Sequence, residues 1–448
     1  MNINHAQIII INYISAKITA IFFYIFCISL IFKNKKNIYF GKYILQFSGF
    51  LYRWFEMNIT PIAHTYPAEL EEKLLEIARL DAQLDATVPV TIREAVEDLL
   101  RVVNSYYSNK IEGNPTKPSD LLDLNDDSIE KKSKGLLEIK RHIEVQLKLN
   151  FKDNDPEEVT SQDFIRKIHE AFYDQCDSEE LEVPNHDGSV IHRIEPGDYR
   201  TIDVIVGNHR PPKAEEVPAY MSWFSSEYKI KYLHGLRKYW AMAASHHRLA
   251  WIHPFLDGNG RVSRLFTDCF MRAIGLKSYG LWSMSRGFAR SSELYYKHLA
   301  IADRARQGDS DGRGILSDNG LVSFTEYFID VAIDQMTYFT NLLEPYKLEE
   351  RINVYFQLRF SGGLFDPKTK KPLKKLPLEA KDIYKTLLYY GPHTRKELQE
   401  RLQISERKLR DIISEMVKEQ LILAPPKRQL HVLLSPRAVQ VLFPYLFE

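Results

Sequence analysis

"HPFLDGNGRVSRLF", His253 to Phe266, puts a histidine, an acid, a Gly-Asn-Gly turn and two arginines into one short stretch. Upstream, "YWAMAASHHRLAWI" (Tyr239–Ile252) is apolar at helical spacing, which places His253 at the C-terminal end of a buried helix. Pro254 discourages any continuation of that helix. Gly258, Asn259 and Gly260 admit backbone conformations closed to most residues, and such a turn can aim successive N–H groups at one anion. A helix starting near Arg261 adds the positive end of its dipole. Arg261 and Arg264 lie three apart on it and can both reach that anion. A polyphosphate fits the whole set. Asp257, beside the turn, then reads as a ligand to phosphate-bound Mg²⁺ or Mn²⁺, because hard cations prefer oxygen. His253, whose ordinary pKa lies near neutrality, is placed to take a proton from an attacking hydroxyl.

Other phosphate and metal motifs fit less well. A Walker loop needs a Gly-rich run closing on Gly-Lys-Ser/Thr, which is absent. A dinucleotide fingerprint needs a third glycine where Ser263 stands. His246, His247 and His253 lack the spacing of a zinc protease helix. A tight turn between helices would explain a lone histidine or a lone Gly-Asn-Gly, but not the combined string.

That string also resembles a family. "HPFLDGNGRVSR" matches the Fic-domain signature at every fixed position, and the resemblance takes in "IEPGDYRTIDVIVG" before it and "SRGFARSSELYYKHL" after it. The resemblance implies a mainly α fold with a Fic helical core and a β-hairpin flap, which the pattern of the last seventy residues extends with a small winged-helix domain. It implies transfer of AMP from ATP to a Ser, Thr or Tyr hydroxyl of a target protein, the chain itself among the candidates, with release of pyrophosphate. His253 would be the general base and Asp257 would hold Mg²⁺. Gly258, Asn259 and Gly260 would cradle phosphates, and Arg261 and Arg264 would bind the β- and γ-phosphates. Tyr296 would line the adenine side. The run Thr201, Ile202, Asp203, Val204, Ile205, Val206, Gly207 would form the flap that positions the target by strand pairing. "SNKIEGN", Ser108 to Asn114, is similar to the family's inhibitory motif. It implies that Glu112 pairs with Arg264 and blocks a productive γ-phosphate pose. Two alternatives stand beside this reading. One is removal of AMP at the same site, with Glu112 positioning water. The other is a nucleotide-sensing regulator that binds DNA.

Around the signature the chain divides into five intervals. Residues 1–56 are a hydrophobic extension, 57–134 N-terminal helices with the inhibitory motif, and 135–345 the catalytic core. A linker over 346–378 and a winged helix over 379–448 complete the chain. Two helices are expected over 67–110, the second opening with Thr91 as N-cap and Glu94 three residues on. Further helices are expected at 135–149, 161–176, 215–229, 235–252, 261–273, 291–305 and 320–344, with a hairpin within 183–212. In the last interval, "EAKDIYKTLLYYG", "TRKELQERL" and "SERKLRDIISEMVKEQ" read as helices, and "LILAPPKRQLHVLL" as two strands around a turn. Arg407, Lys408 and Arg410 could meet DNA phosphates, yet Glu406 and Asp411 share their helix, so a protein partner is an equal expectation. A homodimer is a further candidate assembly.

Composition bounds the rest. A net charge of +1 gives no general pull toward nucleic acid or membrane. Cys27, Cys176 and Cys269 form neither a metal spacing nor a disulfide framework, so the cytoplasm is the expected compartment. Residues 1–56 differ in composition from the remainder of the chain. Glu56 is their only acid, and Ile18–Phe32 is apolar and uncharged before "KNKK". If translated, this stretch is a candidate membrane anchor that leaves the rest in the cytoplasm. The favoured reading takes Met57 as the working start.

Overall fold

A computed structural model describes residues 59–124, 133–149, 155–184, 188–366, 368–434 and 436–448. The extension over 1–56 lies outside them. Among the described residues no helix is long and apolar enough to cross a membrane.

The first helix of the described residues is α1 (Ala68–Thr87), whose Leu70, Leu74, Ile77, Leu80 and Leu84 make one buried stripe. α2 (Val90–Ile111) comes after a Pro. Its N-cap is Pro89, not Thr91: the Pro89 carbonyl already accepts from the Ile92 and Arg93 amides at 3.0 and 3.1 Å. The Thr91 hydroxyl instead donates to the Tyr389 carbonyl at 3.3 Å. Next come α3 (Lys134–Lys148), α4 (Gln162–Tyr173), α5 (Val217–Glu227), α6 (Arg237–Ile252) and α7 (Asn259–Ala273). They are succeeded by α8 (Met284–Arg290), α9 (Ser292–Ala302) and α10 (Asp318–Leu342). Of this series only the short α8 is not expected from the sequence. α6 is buried on nearly all sides, from Trp240 to Leu249, which marks it as the central helix. α7 and α10 pack against α6, and α1 packs along α10. The fold thus buries the helix before His253 and lays the helix after it alongside.

Two expectations are corrected. Regular strand pairing in the 183–212 interval falls at β1 (Glu182–Pro184) and β2 (Ile191–Arg193), which are antiparallel, and not at Thr201–Gly207. The 201–207 run keeps a single bridge, Val206 to His209, with hydrogen bonds of 3.0 and 2.9 Å in both directions. Ile205 and Val206 are exposed, and among the described residues this β-prone run has no neighbouring strand to pair with. The interval expected as a linker begins as α11 (Pro345–Ser361), which buries Leu348, Ile352, Tyr355 and Phe356 at helical spacing.

The last interval has the expected order: α12 (Glu379–Tyr390), α13 (Arg395–Leu402), α14 (Glu406–Lys418), β3 (Ile422–Leu423) and β4 (His431–Val432). Thr394 and Glu397 form the expected capping box, and Ser405 caps α14. An additional α15 (Pro436–Leu442) closes the chain. Residues Ile59–Glu448 make one compact unit, so this interval does not stand apart. The Tyr107 hydroxyl of α2 donates to the Leu446 carbonyl at 3.0 Å, and Arg286 Nε of α8 donates to the same oxygen at 3.1 Å.

Candidate active site

His253 is the C-cap of α6 and lies in the left-handed region, with φ +50° and ψ +60°. Such a backbone is uncommon for a side chain other than glycine, and here several contacts hold it. Its amide donates to the Leu249 carbonyl at 3.1 Å, and its carbonyl accepts from Arg200 Nε at 2.8 Å. Nδ1 lies 3.3 Å from the Ala250 carbonyl. A carbonyl only accepts, so Nδ1 carries the hydrogen and Nε2 is the basic nitrogen. Burial is the largest influence on the ring and holds its pKa down to about 4; His209 and Arg200 push the same way against Ala250 and Asp257. The imidazole is therefore neutral, and able to accept a proton, at pH 7.

The turn after it is built by its small residues. Gly258 has φ +76°, and a Cβ there would lie 2.7 Å from the Tyr173 hydroxyl. As N-cap of α7 it brings no capping side chain, which leaves the first-turn amides to an external acceptor. Asn259 is the first residue of α7. Its side chain accepts from the Phe255 amide at 2.9 Å and donates to the Phe255 carbonyl at 2.8 Å, so it braces the loop and leaves only its backbone for an anion. Asn259→Ala is therefore expected to lower stability by about 1–3 kcal/mol, because both Phe255 groups are buried and lose their partner. Chemical denaturation of the variant beside the parent chain measures this. A Cβ on Gly260 would lie 2.1 Å from Glu112 Oε1, so the glycine is what lets that carboxylate approach.

The two arginines have different environments. Arg261 Nη2 donates to the Tyr173 hydroxyl at 2.8 Å and to Asp257 Oδ2 at 3.3 Å. The Tyr173 hydroxyl in turn donates to Asp257 Oδ2 at 2.7 Å. Desolvation pushes the Asp257 carboxyl upward, but the Arg261 charge and the Tyr173 hydroxyl outweigh it and leave the pKa below its ordinary value. The Asp257 side chain is 52% exposed, so its carboxylate faces both this pair and solvent. Among the described residues no group of three or more His, Cys, Asp or Glu side chains is placed to hold a metal ion. A single open carboxylate suits an ion of the Mg²⁺ kind only where substrate phosphates supply further oxygens.

Arg264 is buried, with a side chain 2% exposed. Nε donates to Ser108 Oγ at 2.9 Å, and Nη2 donates to the Ser108 carbonyl at 2.9 Å and to Glu112 Oε1 at 2.6 Å. Burial is the largest influence and pushes its pKa down, but the Glu112 charge and hydrogen bond, with Tyr295 and Tyr296, together outweigh it and leave the pKa above its ordinary value. The Tyr296 hydroxyl donates to the Ile111 carbonyl at 3.1 Å. The structure thus brings Ser108, Glu112, Gly260, Arg264 and Tyr296 together where α2 ends against the start of α7.

Two residues of the site carry no sequence signal of their own role. Tyr173 reaches the site from α4, and nothing local in its sequence marks it. Arg200 stands directly before the flap run, inside the stretch that carries the family resemblance, and that position was the available signal. A cavity of about 440 Å³ lies beside the flap, lined by Arg166, His169, Tyr199, Arg200, Thr201 and Leu256 among others. His253 is not part of that lining.

Residues 159–271 match the model of the Fic/DOC family. The chain is 29% identical over 204 residues to a protein adenylyltransferase Fic of Nematostella vectensis, a match that covers 46% of this chain and 43% of the relative. Relatives of the same name in Drosophila willistoni and Aedes aegypti are 30% and 36% identical over 184 and 112 residues. Those matches cover 39% and 25% of this chain and 35% and 21% of the relatives. The chain thus spans less than half the length of the curated relatives it matches. Among solved structures, a Fic family protein from Desulfovibrio desulfuricans aligns with a TM-score of 0.46 and 16% identity, over 83% of this chain and 98% of that one. A Fic-1 fragment from C. elegans aligns with a TM-score of 0.46 and 17% identity, over 61% and 72%.

Proposed function

We propose that this chain, which carries a Fic/DOC-family domain over residues 159–271, transfers AMP from ATP to a hydroxyl of a protein and is held back by its own Glu112. The observation that carries the reading is the 2.6 Å pair between Glu112 and Arg264 at an uncapped, glycine-built helix N-terminus. That place is made for an anion, and a carboxylate of the same chain already sits there.

In the reaction, a Ser, Thr or Tyr oxygen of the target attacks the α-phosphorus of ATP and gives its proton to His253 Nε2. The bond between the α-phosphorus and the bridging oxygen breaks, and the electron pair leaves with pyrophosphate. The α7 amides, Arg261 and a released Arg264 face the growing negative charge. Asp257 would hold Mg²⁺, which supplies charge neutralisation on the phosphates when bound. The exposed edge at Ile205 and Val206 would accept the target backbone as an added strand. We read residues 379–448 as a winged helix that serves a protein partner. Lys408 on α14 is already paired with Glu379, and acids alternate with its remaining cations.

The test is incubation of the Glu112→Gly chain with cell lysate and ATP labelled at the α-phosphate, in parallel with ATP labelled at the γ-phosphate. The expected result is label only from the α-phosphate, with mass spectrometry placing AMP on a Ser, Thr or Tyr. Label only from the γ-phosphate would instead indicate a kinase.

A further inference from the structure

Arg200 is 4% exposed, and its guanidinium donates to three backbone carbonyls. Nε donates to the His253 carbonyl at 2.8 Å, Nη1 to Ile202 at 3.0 Å, and Nη2 to Pro212. Its own amide donates to the Pro254 carbonyl at 2.9 Å. Asp203 is the acid within ion-pair reach, at 4.0 Å, and its side chain is 69% exposed. A buried cation without a close carboxylate is costly, and it persists where its donors are well used. Here the fork of the guanidinium is used for its shape: three donors on one plane bridge three separate carbonyls.

Those carbonyls have a pattern. Ile202, near the start of the flap run, and Pro212, five residues past its end, stand on either side of the mutual Val206–His209 bonds. The third belongs to His253, whose left-handed backbone sets where its imidazole points. One side chain therefore ties both ends of the target-binding loop to the residue that takes the target's proton.

We infer that Arg200 is a positioning residue for AMP transfer, locking the flap and the general base into one frame so that the target hydroxyl arrives beside His253 Nε2. The inference rests on the transferase reading above. It adds to that reading a residue that touches neither ATP nor the reacting atoms.

The test uses the Glu112→Gly chain as parent, so that transfer is measurable, and the His253→Ala chain as acceptor in trans. Arg200→Lys and Arg200→Ala are each introduced into the parent. Both are expected to lower kcat by roughly ten- to a hundredfold, since a misplaced reacting pair costs that much. Both should also raise KM for the acceptor, while ATP affinity from direct titration stays at the parent value. Arg200→Lys should not rescue, because one ammonium cannot span three carbonyls. A general loosening would move ATP affinity as well, and a role for charge alone would be rescued by lysine; either result overturns the inference. So do variants that transfer like the parent. If neither variant folds in a thermal melt, Arg200 belongs to the core and the inference fails. A parent that labels neither this acceptor nor lysate fails the transferase reading, and the inference falls with it.

Discussion

Glu112→Gly is expected to raise the initial rate of AMP transfer, self-modification included, on the order of a hundredfold. The reason lies in how Arg264 is held. Its side chain is almost fully buried and keeps three hydrogen bonds, two to Ser108 and one to Glu112 Oε1. Removing the carboxylate leaves the two Ser108 bonds in place, so the guanidinium stays anchored and gains a free donor facing the α7 N-terminus. It also clears the space above Gly260 that Glu112 fills. A γ-phosphate can then take both the space and the donor, and ATP can lie with its α-phosphorus in line with the target oxygen. A restraint of ~3 kcal/mol would leave under about 1% of molecules competent, which sets the size of the gain. Arg264→Ala should not reproduce it, because it removes the phosphate clamp together with the partner of Glu112. Initial rates for both variants, with thermal melts to confirm folding, separate this mechanism from a loosened fold. A folded Glu112→Gly chain that is no faster, and binds ATP no more tightly, would return Glu112 to the status of an acid at a helix end.

The site is legible in sequence where it is local. The turn 253–264 is one continuous stretch, and its glycines, acid and arginines are explained by backbone conformation and charge alone. The Glu112–Arg264 pair is separated by about 150 residues of chain, and it is anticipated only because the Ser108–Asn114 motif resembles a known one. Residues that act from a distance without a motif leave no such trace. Tyr173 meets Asp257 across the α4–α7 packing, and no periodicity signals that a buried helical tyrosine has a polar task. The task of the Asn259 side chain is likewise unmarked: the Gly-Asn-Gly turn points to backbone N–H groups, and nothing local signals an amide that satisfies both polar groups of Phe255 four residues back. The flap shows why β-propensity is a weak guide: Thr201–Gly207 has strand composition, and strand geometry needs a partner that the described residues do not supply. α11 escapes the sequence reading because Lys, Arg, Pro and Gly near its end mask the apolar spacing of Leu348, Ile352, Tyr355 and Phe356.

His253→Ala is expected to lower kcat by ~10²–10⁴-fold while ATP still binds. A general base contributes mainly in the transition state, so its loss appears in turnover and not in ground-state affinity. The geometry makes the division clean. The ring is held through Nδ1 and the Ala250 carbonyl, whereas Gly258, Gly260, Arg261 and Arg264, the residues we propose as the anion cradle, lie at the start of the next helix. A second measurement identifies the nitrogen's role. Because burial holds the imidazole pKa near 4, the proton-accepting form persists well below neutrality. In the Glu112→Gly chain, kcat/KM should stay level as pH falls from 7 toward about 5 and decline only as it nears 4. An unperturbed histidine would lose activity around pH 6.5. The alanine variant should show no such limb in whatever activity remains. An alanine variant that labels protein at the parent rate, with the same pH profile, would leave His253 with no part in the chemistry and require another group to take the target's proton.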